Sequence, residues 1–171
     1  MNYSDIFKSS INKLKLEGRY RYFNKFQREV GKHPSASWIL GSKKSDVTVW
    51  CSNDYLGMSQ NKIVVNSMIK AVKRMGTGSG GTRNISGNSN AIVNLENELA
   101  ELHRKEKAIV FSSGYVANES TISTLLNLLK DVVVFSDEKN HASIISGIKK
   151  SNALKEIFKH NDLKHLDDLI K

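Results

Sequence analysis

Residues 108–150 decide the fold class, and they read AIVFSSGYVANESTISTLLNLLKDVVVFSDEKNHASIISGIKK. Two short apolar runs, 108–111 and 132–135, are rich in β-branched residues and predict strands. A turn follows each run, and each turn leads into a stretch of helical character, 116–130 and 141–150. Strands that alternate with helices in this way predict an α/β fold with a mainly parallel sheet.

The rest of the chain extends this pattern in both directions, and its length of 171 residues suits one core by default. Apolar residues at helical spacings predict further helices over 63–75 and 91–105. Helices are also predicted over 4–30, a polar, basic and aromatic stretch, and over 163–170. Further strands are predicted over 47–51 and 157–158.

The charge of the chain restricts its possible partners. Twenty-six basic and seventeen acidic residues give a net charge of +9. The lysines are spread along the chain without interleaved aromatic residues, so solvated helix faces are favoured over a nucleic-acid surface. A small phosphate-rich ligand is a third option, because it would need only a few of these charges.

Several classes of protein are not indicated. The chain has no apolar run of eighteen residues and no secretory signal pattern, so no membrane partner is expected and a cytoplasmic location is predicted. The one cysteine, Cys51, fits a reducing compartment. No second His or Cys lies at metal-ligand spacing from His141, so no metal site is predicted.

A glycine-rich loop, GTGSGGTRNISG at residues 76–87, is predicted to be a binding surface. Its five glycines cannot build a core, and they permit close approach of the backbone to a ligand. Thr82, Arg83 and Asn84 offer hydroxyl, guanidinium and amide groups to a polar partner. A flexible linker between two helices is the alternative interpretation.

Two familiar nucleotide-binding loops do not fit residues 76–87. Gly76, Gly78 and Gly81 have the G-x-G-x-x-G spacing, but a dinucleotide fingerprint must follow a strand and open a helix. Here a predicted helix, 63–75, precedes the glycines and more loop follows them. A phosphate-binding P-loop would need Lys and Ser/Thr where residues 82–83 are Thr and Arg.

Ligand sites are expected where strands lead into helices, because parallel sheets bind ligands at the carboxyl ends of their strands. Ser113, Gly114 and Tyr115 occupy the first such junction, where unpaired amides and the helix dipole suit a phosphate. A simple capping turn is the alternative. Ser136 to His141 form the second junction, where the histidine could be a base, a metal ligand or a stacking partner.

Four blocks of the sequence together resemble the α-oxoamine synthases, a class-II aminotransferase-like family of fold-type I pyridoxal-phosphate (PLP) enzymes. The blocks are WCSNDYLG at 50–57, the loop at 76–87, FSSGYVAN at 111–118 and SDEKNHAS at 136–143. Within that family, GRYRYF at 18–23, GGTRNISG at 80–87 and IFKHND at 157–162 are similar to the 5-aminolevulinate synthases.

The resemblance implies a fold, a cofactor and a reaction. Residues 1–50 would be a helical arm with the first strand of a small domain, and 51–171 an incomplete PLP-binding large domain. The reaction would join glycine and succinyl-CoA into 5-aminolevulinate, CoA and carbon dioxide, the first step of haem synthesis, in a homodimer. The alternatives are 8-amino-7-oxononanoate synthase or 2-amino-3-ketobutyrate CoA ligase.

The resemblance also assigns roles to individual residues by matching position. His141 would be catalytic and stack on the pyridine ring. Ser113, Gly114 and Tyr115 would hold the phosphate, with Tyr55 close to the cofactor. The substrate-binding positions are Arg21, Thr82 and Asn84 for the succinyl carboxylate, Asn53 and Ser136 beside the substrate, and Lys155 for CoA phosphates.

Members of the family are much longer than 171 residues. The resemblance therefore implies that the Schiff-base lysine, the aspartate that pairs with the pyridine nitrogen and the C-terminal domain lie beyond this chain. A synthase without that lysine should not turn over. The expectation is an N-terminal portion that is inactive alone, with a non-catalytic binding module as the alternative.

Overall fold

A computed structural model describes residues 2–171. Within that range the chain forms two compact units, the first ending at Gly78 and the second spanning Ser79–Lys171. The helices are α1 Tyr3–Leu16, α2 Lys62–Met75, α3 Asn90–Leu102, α4 Gly114–Leu128, α5 Ala142–Lys149 and α6 Leu163–Ile170. The strands are β1 Lys25–Arg28, β2 Ser35–Leu40, β3 Lys43–Thr48, β4 Val133–Asp137 and β5 Leu154–Phe158.

The first unit holds a three-stranded antiparallel sheet in the order β1-β2-β3, whose strands follow α1 and precede α2 in the sequence. Trp38 of β2 lies opposite Phe26 of β1 and Ser45 of β3. The buried residues of this sheet are Ala36 and Ser37. No strand was expected over Ser35–Leu40. The strand expected at 47–51 runs instead from Lys43 to Thr48, because these are the residues that pair with β2.

The first helix is shorter than the predicted 4–30. Gly18 adopts a left-handed conformation with φ of +65° directly after the cap residue Glu17. The amides of Arg19 and Tyr20 then turn back to the Leu14 carbonyl, a pattern that closes a helix C-terminus. The chain is thereby freed to form β1, so the predicted helix is wrong beyond Leu16.

The second unit contains the βαβ arrangement that the sequence indicates. Strands β4 and β5 pair in parallel, α5 connects them, and α4 packs against α5. Gly147 of α5 allows this contact, because a Cβ there would lie 2.9 Å from the Ile122 Cβ and 3.1 Å from the Glu119 carbonyl oxygen. Ile148 and Ser143 are buried on the same helix.

The predicted strand at 108–111 is wrong, and hydrogen bonding explains why. The Val110 amide donates to Glu96 Oε1 at 2.7 Å, and the Val110 carbonyl accepts from Arg83 Nη1 at 3.2 Å. These backbone groups are bound by side chains rather than by a neighbouring strand. A strand requires ladder partners, and this segment has none within residues 2–171.

The α/β class with a helical N-terminus is confirmed, although its strands form one antiparallel and one parallel sheet. The predicted domain division at residue 50 stays a prediction. Of the helices that the structure describes, none combines the length and the apolar character needed to cross a bilayer.

Candidate functional site

The N-terminus of α4 exposes backbone donors. The Ser113 hydroxyl accepts from the Val116 amide at 3.2 Å and its carbonyl accepts from Ala117 at 3.0 Å, so Ser113 is the N-cap. The amides of Gly114 and Tyr115 find no acceptor within residues 2–171. Two free amides at the start of a fifteen-residue helix form a site that favours an anion.

The structure brings Tyr115 and His141 together. Their ring centroids lie 6.3 Å apart with an interplanar angle of 66°, an edge-to-face arrangement. His141 is the N-cap of α5, and its Nδ1 accepts the Ser143 amide at 3.2 Å. The helix starts of α4 and α5 therefore place an aromatic pair beside the free amides of α4.

Ser136 ends up inside the second unit rather than on an open surface. It lies in β4 with 2 % of its surface exposed. Its hydroxyl group accepts a hydrogen bond from Asn140 Nδ2 at 2.9 Å and donates one to the Asp137 carbonyl at 3.4 Å. These bonds hold the turn that leads from β4 to His141.

Asp137, next to Ser136 at the end of β4, binds the turns that follow β4 and β5. Its carboxylate accepts from the amides of Lys139 and Asn161 at 2.8 and 3.0 Å and lies 2.9 Å from His160 Nδ1. The backbone donors, Lys139 first, lower the pKa of Asp137 to about 2. Asp137 therefore fixes the loops at this edge of the parallel pair.

The glycine-rich loop contains a short π-helical turn, Arg83–Gly87, that folds back on Gly81. The Gly87 amide donates to the Thr82 carbonyl at 2.8 Å. A Cβ at Gly87 would collide with the Gly81 carbonyl, so the turn needs glycine there for close approach of the backbone. Residues 81–87 therefore form a folded turn.

The Arg83 guanidinium is bound inside the chain and is not presented to a partner. It makes a bidentate pair with Glu96 of α3 at 2.6 and 2.8 Å. It also donates to Asn88 Oδ1 at 3.1 and 2.9 Å. The hydrogen bond from Arg83, helped by the Val110 amide, lowers the pKa of Glu96 to about 2.

Thr82 and Asn84 are exposed neighbours on the same loop. The Thr82 hydroxyl donates to Asn84 Oδ1 at 2.7 Å. This bond orients the Asn84 amide so that its Nδ2 donors remain available. The loop thus presents a paired hydroxyl and amide, while Arg83 between them anchors the backbone.

The remaining predicted positions are exposed in their own units. In the first unit, the Tyr20 and Tyr22 rings lie 5.0 Å apart on either side of Arg21 in the sequence. Asn53 is exposed and Tyr55 has 88 % of its surface exposed. In the second unit, Lys155 is exposed on β5 opposite Val134 of β4.

The side chains that commonly bind metal ions do not cluster in the described part of the chain. Across residues 2–171, no three His, Cys, Asp or Glu side chains converge as ligands would.

Comparison with known proteins identifies the family of this chain. Residues 45–171 match the family described as aminotransferase class I and II. The chain belongs to this family.

Two relatives show how far the similarity of this aminotransferase-family chain extends. A 5-aminolevulinate synthase from Bradyrhizobium diazoefficiens is 47 % identical over 171 residues, which is 100 % of this chain and 42 % of that protein. A 5-aminolevulinate synthase from Rickettsia bellii is 50 % identical over 169 residues, 99 % of this chain and 40 % of that protein. The chain thus spans about two fifths of the length of the curated relatives it matches.

A solved structure supports the fold of this family member. A serine palmitoyltransferase variant from S. paucimobilis with bound PLP and myriocin matches with a TM-score of 0.76 and 30 % identity. The match covers 97 % of this chain and 42 % of that one. The fold of the chain is that of the fold-type I PLP enzymes.

Proposed function

We propose that the protein to which this chain belongs is a 5-aminolevulinate synthase. It would join glycine and succinyl-CoA to give 5-aminolevulinate, CoA and carbon dioxide at the start of haem synthesis. The observation that carries this proposal is the identity of 47–50 % with 5-aminolevulinate synthases from end to end of the chain. That span includes the loop that presents Thr82 and Asn84.

The residues of the second unit fit PLP. The free amides of Gly114 and Tyr115, with the Ser113 cap, suit the cofactor phosphate at the start of α4. His141, edge-on to Tyr115, would lie against the pyridine ring. When bound, PLP supplies an electron sink for the charge that develops on glycine. The role of this chain is to hold and orient the group, with Tyr55 as a further contact.

The glycine-rich loop would recognise the acyl substrate. A carboxylate accepts hydrogen bonds from hydroxyl and amide groups and pairs bidentately with a guanidinium. Thr82 and Asn84 present the first two kinds of donor on one exposed loop. Arg21 would supply the guanidinium, because Arg83 is already bound to Glu96.

The remaining elements of the proposal follow the resemblance. Asn53 and Ser136 would lie beside the substrate and Lys155 would contact CoA phosphates. The domain division at residue 50, a homodimer and a cytoplasmic location belong to the same proposal. Nucleic acid and membrane are not among the proposed partners.

The experiment that tests this function uses the complete protein, expressed from its whole reading frame and supplied with PLP. Glycine and succinyl-CoA should give 5-aminolevulinate, with one CoA released for each molecule formed. Acetyl-CoA, which lacks the terminal carboxylate, should be a poor substrate. Equal use of both acyl-CoAs would favour 2-amino-3-ketobutyrate CoA ligase, and no aminolevulinate with any preparation would overturn the proposal.

A further inference from the structure

His141, Ser143 and Asn118 form a hydrogen-bonded chain that crosses from α5 to α4. His141 Nδ1 lies 2.6 Å from the Ser143 hydroxyl oxygen, and Asn118 Nδ2 donates to that oxygen at 3.0 Å. Ser143 is fully buried, with 0 % of its surface exposed. A buried hydroxyl costs free energy unless it is hydrogen-bonded, so both of its bonds matter.

The direction of these bonds determines which nitrogen of His141 carries a proton. The Ser143 amide lies 3.2 Å from Nδ1, and because a backbone N–H can only donate, Nδ1 must be an acceptor. Asn118 donates to the Ser143 oxygen, which leaves the single hydroxyl proton of Ser143 to donate to Nδ1. The ring proton is then on Nε2.

We propose that Asn118 and Ser143 are positioning residues that hold His141 in its Nε2–H tautomer and fix the plane of its ring. Two donors on Nδ1 define both the rotation of the ring and the identity of the free nitrogen. The histidine therefore presents an N–H donor, and not a lone pair, at the edge directed away from its cap.

This tautomer depends only on the hydrogen bonds of α4 and α5. Its use against a cofactor or substrate oxygen rests on the proposed function, in which His141 lies against PLP. Positioning groups of this kind set the tautomer and orientation of histidines at other sites as well. The two statements can be tested separately, because one is a property of the ring and the other a property of binding.

The first test removes the donor at residue 118 with Asn118→Asp in the complete protein. An aspartate accepts the Ser143 hydroxyl proton, so Nδ1 keeps only the hydrogen bond from the Ser143 amide. Nitrogen-15 NMR of labelled histidine should show the His141 Nδ1 signal as pyridine-like in the unsubstituted protein. In Asn118→Asp the signal should stay pyridine-like but shift toward the value of a more weakly hydrogen-bonded nitrogen, because one of its two donors is lost.

Asn127→Asp is the matched control, since Asn127 also lies on α4 and bonds to the distant residues Lys150 and Asn152. The His141 signal should not change in this control. A protonated Nδ1 in the unsubstituted protein would overturn the proposed tautomer, and an unchanged Nδ1 signal in Asn118→Asp with an intact circular dichroism spectrum would overturn the positioning role of Asn118.

The second test addresses cofactor binding through Ser143→Ala, which keeps the backbone donor but removes the hydroxyl. The affinity for PLP should fall by about threefold to tenfold, the effect of one net hydrogen bond. The induced circular dichroism of bound PLP should also change, because the ring of His141 is no longer fixed. Unaltered affinity and dichroism would refute the positioning role, whereas failure of the unsubstituted protein to bind PLP would count against the proposed function alone.

Discussion

Thr82 and Asn84 share one hydrogen bond, and that bond determines what each residue can offer a ligand. The Thr82 hydroxyl donates to Asn84 Oδ1 at 2.7 Å, so its proton is engaged, while Asn84 Nδ2 has no acceptor within residues 2–171. A carboxylate that reaches the loop can take the amide donors directly. Rotation of the Thr82 hydroxyl then adds a second donor. The pair thus forms a small, exposed donor site, and a terminal carboxylate is its proposed ligand.

Substitution of Thr82 by Val keeps the side-chain shape and removes this donor. The kcat/KM of the complete protein for succinyl-CoA should fall by about ten- to a hundredfold, the effect of a hydrogen bond to a charged group. The value for acetyl-CoA should change little, because acetyl-CoA has no carboxylate to bind. Steady-state kinetics with both acyl-CoAs measures this difference. Thr121→Val, which changes an exposed threonine of α4, is the matched control. Equal losses with both substrates would contradict the role of Thr82.

Among the secondary-structure elements, Arg83 links the glycine-rich loop to α3 and to the segment around Val110 through hydrogen bonds. Its bidentate pair with Glu96 and its bonds to Asn88 and the Val110 carbonyl fix the backbone between Thr82 and Asn84. The carboxylate of Glu96 also accepts the Val110 amide. One ion pair therefore joins three parts of the second unit.

Glu96→Gln should lower the melting temperature of the complete protein at neutral pH by a few degrees. The pKa of Glu96 is lowered to about 2 from 4.5, so its stabilising effect is present above pH 4.5 and is lost as the pH falls toward 2. The difference between Glu96→Gln and the unsubstituted protein should shrink across that interval in thermal melts. Glu98→Gln, exposed on the same helix, should show no such trend. A pH-independent difference would contradict the ion-pair explanation.

The contact between α4 and α5 depends on the absence of a side chain at Gly147. A methyl group there would lie 2.9 Å from the Ile122 Cβ and 3.1 Å from the Glu119 carbonyl oxygen, so the helices would have to separate. Gly147→Ala should destabilise the protein by about 1–3 kcal/mol, the usual range for overpacking. Chemical denaturation measures the change. Gly78→Ala is the control, since nothing lies within 4 Å of its added methyl group, and it should be neutral. Equal free energies of unfolding for Gly147→Ala and Gly78→Ala would contradict the close contact between α4 and α5 at Gly147.

The helices and strands that were predicted well are those that depend only on residues within or next to the same segment. Helix α2 was expected over 63–75 and runs from Lys62 to Met75, because its apolar spacing and the Asn61 cap are both contained in the segment. Strands depend on partners elsewhere in the chain. The segment 108–111 has strand composition but no ladder, and β2 has a ladder although its first residues are small and polar.

The same distinction holds for the candidate site. The cap at Ser113 and the histidine at the start of α5 follow from local sequence. The bond from Asn118 to Ser143 joins residues twenty-five positions apart and forms only when α4 packs on α5. Arg83 is the opposite case. Its position in the loop suggested a contact with a ligand, but its guanidinium pairs with Glu96, thirteen residues further along the chain.

At the scale of the whole molecule, the net charge is distributed unequally between the two units. Residues 1–78 contain fourteen Lys and Arg against five Asp and Glu, so they carry the entire net charge of +9. Residues 79–171 contain twelve of each sign. A field of one sign attracts polyanions and raises their rate of association. In the proposed reaction, the polyanion is the CoA ester and not glycine.

Salt should therefore weaken the use of succinyl-CoA and leave the use of glycine nearly unchanged. Raising the ionic strength from about 0.01 M to about 0.15 M shortens the Debye length from about 30 Å to about 8 Å. The KM for succinyl-CoA should rise several-fold over this range, whereas glycine, a zwitterion without net charge, should keep its KM. Replacing Lys43 and Lys44 by Gln should reduce the salt dependence, while the same change at Lys105 and Lys107 in the neutral second unit should reduce it less. Equal salt effects on both substrates would show that the basic first unit does not guide the CoA ester, and would leave its charge without a role in catalysis.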